Sequence, residues 1–317
     1  MSSFFQSADE VELLEDRGAP TRARDIQLWI GFCVVFVWVL VAITVPLWSR
    51  YGPNQINFAA MLQHPSGAHW FGTDELGRDV FTRVMYASRA DLPLAFEAVA
   101  AAAVVGTIVG CVAAYCGGLV DEVLQRIGDV VLAFPALVLA LAIAAALGPS
   151  LRNVVIAISA VVWPEYARLV RGEVLTVLNE LHVTAAKSIG CGPWRLLRKH
   201  VLPFATPSIA VKASVDVGSA VLLAAGLSFI GVGIVPPTPE WGAMVSEADM
   251  YISQWWIGLF PGLAILTTVL AFNFMGDSLR DWLDPRSPYG RRRRRGEWLQ
   301  RLGVGSRLRT WGSKSDD

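Results

Sequence analysis

Five long stretches without a charged residue place the strongest limit on how this chain of 317 residues can fold. A helix needs about 20 mostly apolar residues to cross the roughly 30 Å hydrocarbon core of a bilayer, and each stretch is long enough. A soluble globule of this length could not bury five such helices. The stretches are Ile26–Ser49, Ala98–Val120, Val130–Leu151, Val217–Pro239 and Met250–Gly276.

A shorter apolar stretch brings the expected number of spans to six. Asn153–Pro164 is too short alone, but a helix that continues towards Arg171 is long enough to cross the membrane. None of the stretches shows the alternating ten-residue pattern of a membrane β-barrel. The sequence therefore predicts an all-α integral membrane protein with six transmembrane helices.

The composition agrees with this prediction and excludes other classes of protein. Charged residues make up 17% of the chain and apolar residues 54%, and the 27 basic residues balance the 27 acidic ones. A disordered chain combines low hydrophobicity with high net charge, and a nucleic-acid-binding protein usually has a basic excess. Neither description fits, so we expect no nucleic-acid partner.

The placement of Lys and Arg predicts the orientation, because these residues concentrate on the cytoplasmic side of membrane proteins. With both termini in the cytoplasm, 22 of the 27 basic residues lie inside. The acidic Asp121, Glu122 and Asp129 then also lie inside, which the rule tolerates because acidic residues contribute little to it. The five basic residues left outside are Arg50, Arg78, Arg83, Arg89 and Arg152.

These spans divide the chain into predicted regions. The N-terminal tail is long, polar and acidic, unlike a secretory signal, so we expect the first span to be retained. The basic run Arg291–Arg295 favours contact with anionic inner-leaflet lipid, with nucleic-acid or partner binding as a weaker alternative. The regions are a cytoplasmic tail (1–25), a first transmembrane helix (26–49), an extracytoplasmic loop (50–91), a five-helix core (92–286) with a cytoplasmic loop at 178–203, and a basic cytoplasmic tail (287–317).

A short helix hairpin is predicted within residues 178–203, on the cytoplasmic side. The stretch from Leu178 reads as a helix that stops at Gly190, and Cys191-Gly192-Pro193 reads as a turn in which the proline begins a second helix. Ala185 and Ala186 keep one face of the first helix smooth, which allows the groove of a partner to approach closely.

The spacing of residues in this helix hairpin resembles the EAA loop of ABC importer permeases. In that family the loop forms a coupling helix that docks on the ATPase subunit. The family usually has Glu where this chain has Thr184, which removes one charged contact. An amphipathic helix lying on lipid is the alternative. The matching positions, which we expect to contact the ATPase, are Thr184, Ala185, Ala186, Gly190, His200, Leu202 and Pro203.

Further motifs narrow the resemblance to the C-type permease subunits of dipeptide, oligopeptide and nickel importers. The match covers roughly residues 69–286. Its motifs are Gly72–Val80, Leu132–Pro135, Trp163–Arg171, Leu227–Gly233, Pro236–Gly242, Phe260–Ile265, Gly276–Asp281 and Asp284–Arg286.

The resemblance implies a fold, a function and a set of partners. The fold is the type I ABC importer permease fold with a cytoplasmic coupling helix, in a bacterial or archaeal plasma membrane. The function is ATP-driven import of di- and oligopeptides, with nickel chelates or glutathione-like solutes as the alternative cargo. The implied partners are a homologous second permease, two ATPase subunits, an extracytoplasmic solute-binding protein and the lipid bilayer.

No catalytic or cofactor site is expected in this chain. A phosphate-binding P-loop needs a Gly-Lys pair, and the sequence has none, so ATP and Mg²⁺ would bind to partner chains. His64 and His69 are more typical of ordinary loop histidines than of a metal site. The cysteines are expected to have a structural role. A self-sufficient secondary transporter and a membrane-embedded enzyme are the rival classes. The transporter should show inverted repeats and coupling charges near the midplane, which the sequence does not show clearly. The enzyme should show a convergent catalytic set, and none is visible in the sequence.

Ionisable residues within predicted spans are candidates for a transport pathway. Asp216 lies just inside the fifth span, Glu165 follows Pro164, and Glu97 opens the second span near its outer face. For Asp216, a local pair with Lys212 competes with a pathway role.

Glycine and proline residues within the spans carry a structural prediction. The small-residue spacing of the span glycines favours close helix packing. The span prolines can kink or break their helices, and plain helix packing is the alternative for each of these residues. These residues are Gly106, Gly110, Gly218, Gly226, Pro135, Pro164 and Pro261.

Overall fold

The computed structural model describes residues 21–283, and within this range the secondary structure is helical without a strand. The predicted tail before residue 21 and the basic run Arg291–Arg295 lie outside the described residues. In chain order the α-helices are α1 (Thr21–Trp48), α2 (Val80–Cys116), α3 (Gly118–Leu132), α4 (Ala136–Leu147), α5 (Leu151–Leu178), α6 (Leu181–Ser188), α7 (Pro193–Leu196), α8 (Leu202–Phe229), α9 (Trp241–Asp249) and α10 (Trp255–Leu283).

Five of the described segments are helical, long and apolar enough to cross a membrane, and a bent helix pair brings the number to six. The prediction of an all-α membrane protein is confirmed. The pair is α3 and α4, which meet at 91°. The five straight segments are Ile26–Trp48, Val80–Cys116, Leu151–Leu178, Pro193–Phe229 and Trp255–Arg280.

The third span is broken at Pro135, one of the prolines that the sequence marks as able to break a helix, so Val130–Leu151 is not one continuous helix. Pro135 has extended backbone angles (φ −57°, ψ 128°) and stands between α3 and α4, because proline lacks the N–H that a continuing helix would need. Proline inside a helix does not always break it. Pro164 lies within α5 and Pro261 within α10, and both helices continue past them.

Two ion pairs hold α3 against α5. Arg171 donates to Asp121 over 2.6 Å from Nε, and Arg168 Nη2 lies 2.8 Å from Asp129 Oδ1. These ion pairs explain why α3 carries acidic residues on the same side of the bundle as the basic residues of α5.

The second span begins earlier than the charge-free stretch suggests. Helix α2 starts at Val80, so residues 80–91, expected in the extracytoplasmic loop, are its first turns. The Asp79 carboxylate caps the helix by accepting the Thr82 N–H over 2.8 Å, a contact that stabilises a helix start.

The last two spans are also displaced from their predicted bounds. Helix α8 ends at Phe229, and Gly231 with φ +90° turns the chain away, so the stretch up to Pro239 is not helical. Helix α10 begins at Trp255, later than Met250, and runs on to Leu283.

The most extensive contact in the bundle joins α2 to α5, and glycines permit it. A Cβ atom at Gly106 would lie 2.5 Å from the Trp163 carbonyl oxygen, and one at Gly110 would lie 2.5 Å from the Ala167 carbonyl oxygen. At these positions the backbones touch, as the small-residue spacing predicts. Gly218 makes a similar but looser approach, 3.2 Å from the Val269 carbonyl oxygen.

The bundle has two ends that differ in structure. The hairpin end carries α6, α7 and the π-helical stretch Leu197–Val201. The cap end carries residues 49–79 and 230–254, which include α9. At this end Trp241 and Trp256 are fully buried and anchor the cap to the core of the bundle.

The glycine contact leads to a prediction. Gly106→Val should lower the free energy of unfolding by about 1–3 kcal/mol, because the added side chain overpacks a closed contact. The melting temperature of the purified protein measures this. Gly172→Val is the matched control, since Gly172 also lies in a helix but a Cβ there meets nothing within 4 Å. Equal melting temperatures for the two variants would contradict the predicted role of Gly106.

Candidate functional site

The helix hairpin forms as predicted at its turn. Helix α6 ends at Ser188, and Gly190 follows with φ +80°, a conformation that glycine adopts without strain. Its N–H donates to the Lys187 carbonyl over 3.0 Å, and the Cys191 N–H donates to the Ala186 carbonyl over 3.1 Å, which satisfies carbonyls at the helix end. Pro193 opens the second arm at the first helical position.

The inner face of α6 is apolar and packs on the bundle. Val183 and Ala186 are buried beside Val174, Leu196 and Val201. Ala186 therefore faces the chain's own core, and the expectation that it forms a smooth outer face together with Ala185 is wrong. The two alanines are neighbours in a helix, so their side chains point about 100° apart.

The outer face of the helix hairpin is exposed. Thr184, Ala185 and Gly190 all lie on it, and the Thr184 hydroxyl donates to the Glu180 carbonyl over 3.2 Å. Large apolar side chains surround them, with Leu181 87% exposed and Ile189 86% exposed. Exposed apolar surface rimmed by polar residues marks a contact site for another molecule.

The remaining predicted contact residues lie on the second arm. His200 is half-buried in the π-helical stretch, Leu202 is half-buried at the start of α8, and Pro203 is exposed. The His200 ring lies 6.4 Å from the ring of His182 on α6, so the two arms approach each other at this point.

A charged cluster lies between α5 and α8, about halfway along both helices. Lys212 Nζ is 2.6 Å from Glu165 Oε2 and 3.1 Å from Asp216 Oδ2. The same ammonium group lies 5.1 Å from the centre of the Tyr166 ring, within reach of a cation–π contact. The structure thus brings the two predicted pathway carboxylates together on one lysine, and the local pair of Asp216 with Lys212 is confirmed.

An open cavity of ≈ 580 Å³ adjoins this cluster. Lys212 and Asp216 line it from α8, and Asp277 and Arg280 line it from α10. Its wall therefore carries charges of both signs. Such a lining suits a solute or water better than lipid tails, because unpaired charge is costly in hydrocarbon.

The comparisons with known proteins decide the family. A family model described as binding-protein-dependent transport system inner membrane component matches residues 106–287, which include the helix hairpin and the charged cluster. The chain belongs to this family. It is a permease subunit of an ABC importer, and such subunits work with ATPase and binding-protein subunits.

Curated relatives of this permease cover most of its length. A probable D,D-dipeptide transport system permease protein of Escherichia coli is 45% identical over 80% of this chain and 86% of its own. A dipeptide transport system permease protein of Alkalihalophilus pseudofirmus is 44% identical over 81% of this chain and 85% of its own. A glutathione transport system permease protein of Pectobacterium atrosepticum is 41% identical over 79% and 85%.

The cap of the permease is built around buried charges. Arg78 Nε lies 2.6 Å from Asp74 Oδ2, and Arg78 Nη2 lies 2.9 Å from Glu75 and 3.4 Å from Glu247. Arg83 is 3.5 Å from both Asp74 and Glu247. The oxygens of these carboxylates lie within 4.8 Å of one another, and the two guanidinium groups already balance most of their charge. The network ties the first loop to α9.

The motif Gly72–Val80 supplies most of the residues of this ion-pair network. Asp74 accepts the Arg78 N–H over 2.8 Å, and Asp79 Oδ1 lies 2.9 Å from His69 Nδ1. His69 is therefore a buried partner of a capping carboxylate, as a loop histidine would be. Ion pairs and helix capping thus explain the residue types of this motif, and the sequence pattern alone did not reveal these contacts.

Two further buried carboxylates were missed at the level of the sequence. Asp91 accepts the Trp241 N–H over 3.0 Å, and Glu240 accepts the Gly242 and Ala243 N–H groups at the start of α9. Burial raises the pKa of the Glu240 carboxyl. The sequence signal that could have identified Glu240 is its position directly before a short apolar stretch, where a helix-capping residue stands.

Proposed function

We propose that this permease is the C-type subunit of an ATP-driven importer of short peptides and forms half of the translocation pathway. Its identity of 44% to a dipeptide permease, over most of both chains, carries the proposal. The full complex would contain a homologous second permease, two ATPase subunits and an extracytoplasmic solute-binding protein. The chain would lie in a plasma membrane with both termini in the cytoplasm, as the 22 basic residues on that side favour.

The energy for transport would come from the partner ATPases. The sequence has no P-loop, so ATP and Mg²⁺ would act on other chains. Closure of the ATPases would move the two permeases between inward-open and outward-open states, and hydrolysis would reset them. This is alternating access with the energy supplied by another subunit.

A glutathione-like solute is the second candidate cargo. The relative that transports glutathione is 41% identical over 79% of this chain, nearly as similar as the dipeptide relatives. Glutathione and dipeptides share a free ammonium group, carboxylates and amide bonds, so one pathway chemistry would serve both. Nickel chelates remain the third possibility from the resemblance.

Reconstitution tests the proposed function. The purified complex in proteoliposomes should take up a labelled dipeptide only when ATP, both ATPases and the binding protein are present. The permease alone should take up none, because it holds no energy source. Radiolabel inside the vesicles is the measurement. Uptake driven by the single chain with an ion gradient would instead support a secondary transporter.

The exposed face of α6 supports the proposed docking of an ATPase. Thr184 and Ala185 are small and exposed, which permits close approach, and Leu181 and Ile189 offer apolar contacts beside them. Helix-in-groove recognition uses an apolar helix face of this kind. Because Ala186 is buried, a charge there would damage the hairpin itself, so Ala185 is the position that tests docking.

Ala185→Asp should lower ATP-dependent uptake at least about tenfold, since a charge would be buried unpaired in the contact. Co-purification of the ATPases should fall in parallel. Arg126→Asp is the control, because it also introduces a carboxylate at an exposed position but lies on α3, outside the helix hairpin. Thr184→Glu should retain uptake. Normal uptake and normal co-purification in Ala185→Asp would exclude docking at this face.

The charged cavity supports a place for Asp216 and Glu165 beside the pathway. Their charges are partly neutralised by Lys212, so a passing solute would meet a mixed, hydrated surface there. The pairing also gives both carboxylates a structural role. The two roles differ in what a neutral variant changes.

Asp216→Asn should reduce uptake about fivefold. This factor corresponds to the loss of the attraction between two unit charges, one on Asp216 and one on the solute, about 4 Å apart in water. Glu165 still holds Lys212 in this variant, so the melting temperature should change little. Uptake per complex and thermal unfolding are measured together. Unchanged uptake with a lowered melting temperature would assign Asp216 a structural role alone.

A further inference from the structure

Glu97 lies on the outer surface of the bundle, far from both ends of its helix. It occupies the middle of α2, a helix of 37 residues, and its side chain is exposed. The expectation that it opens a span near the outer face is wrong, because α2 begins at Val80. The exposed side chains around it are otherwise apolar, with Phe96 45% exposed and Val104 58% exposed.

Contacts with two neighbouring spans fix the depth of Glu97. The Ser159 hydroxyl donates to the Ala98 carbonyl over 3.0 Å, and the Phe96 ring lies 5.6 Å from the Phe272 ring. Ser159 is about 12 Å along α5 from its start at the cap end, and Phe272 is about 12 Å from the other end of its span, at 1.5 Å per residue. Glu97 therefore lies about 12 Å inside the helical bundle measured from either end, a depth that corresponds to the interior of a hydrocarbon core roughly 30 Å thick.

The charge of Glu97 is not neutralised within the described part of the chain. No ion pair or hydrogen bond joins its carboxylate to another described side chain, whereas Asp216 and Glu165 share Lys212. A glutamate side chain reaches only a few ångströms, too little to extend from this depth to either membrane surface. A carboxylate so placed would be costly against lipid tails, and such residues face a water-filled cavity or a protein partner.

We propose that Glu97 lines the water-filled translocation pathway and attracts the ammonium groups of cationic solutes during passage. This inference rests on the proposed function and names the charge preference of the pathway. An unpaired carboxylate in an otherwise apolar stretch provides one favourable site for an ammonium group. It therefore favours zwitterionic or cationic peptides over anionic ones.

Thiol accessibility tests where Glu97 faces. Glu97→Cys is made in the assembled transporter after Cys33, Cys111, Cys116 and Cys191 have been replaced. A membrane-impermeant thiol reagent should label it, and bound substrate should slow the labelling. The matched control is Phe36→Cys on α1, an exposed apolar position that should stay unlabelled. Equal protection of both cysteines would overturn the proposal and would fit burial against the second permease.

Uptake of charged dipeptides tests the role in selection. Glu97→Gln should lower the uptake rate of a lysine-containing dipeptide about fivefold and should change that of a glutamate-containing dipeptide little. The factor corresponds to the attraction between two unit charges about 4 Å apart in water. Glu97→Asp should restore the preference. An equal effect on both dipeptides would overturn the proposal. If the wild-type complex took up neither with ATP, the proposed function itself would fail, which separates the two conclusions.

Discussion

The direct backbone contact between α2 and α5 sets the geometry on which the other sites depend. Gly106 and Gly110 allow α2 to lie against the carbonyl groups of α5. Helix α5 carries Glu165 of the charged cluster and packs against the helix hairpin, and α2 carries Arg83 of the cap. Hydrocarbon provides no hydrophobic force between helices, so close van der Waals packing of this kind holds them together. A change in this one separation would shift the cap, the cluster and the hairpin at once.

Charges in this permease follow one physical rule, since each costs free energy in the bilayer unless it is paired or hydrated. In the cap, two arginines balance the carboxylates around Asp74, and in the cluster one lysine serves two carboxylates. Pairing of this kind stabilises a position and suits a scaffold. The Glu97 carboxylate, which is unpaired within the described chain, departs from this rule, and the proposed water-filled pathway would provide the hydration that it needs.

The sequence predicted features that depend on neighbouring residues and missed those that depend on distant ones. The spans follow from composition, and the turn at Gly190 follows from the need for a positive φ. The pair of Asp216 with Lys212 follows from helical spacing. In contrast, the contact of Arg78 with Glu247 joins residues 169 positions apart. The inward direction of Ala186 likewise depends on what packs around it, which no local pattern contains.

The second arm of the helix hairpin and the fifth span form one continuous helical segment, Pro193–Phe229. At 1.5 Å per residue, this segment is about 56 Å long. Lys212 and Asp216 stand on it, as does the exposed Trp194 at its beginning. The segment therefore begins within the helix hairpin and lines the charged cavity partway along its length. Because no loop interrupts the segment, a tilt imposed on its hairpin end would be transmitted to the cavity.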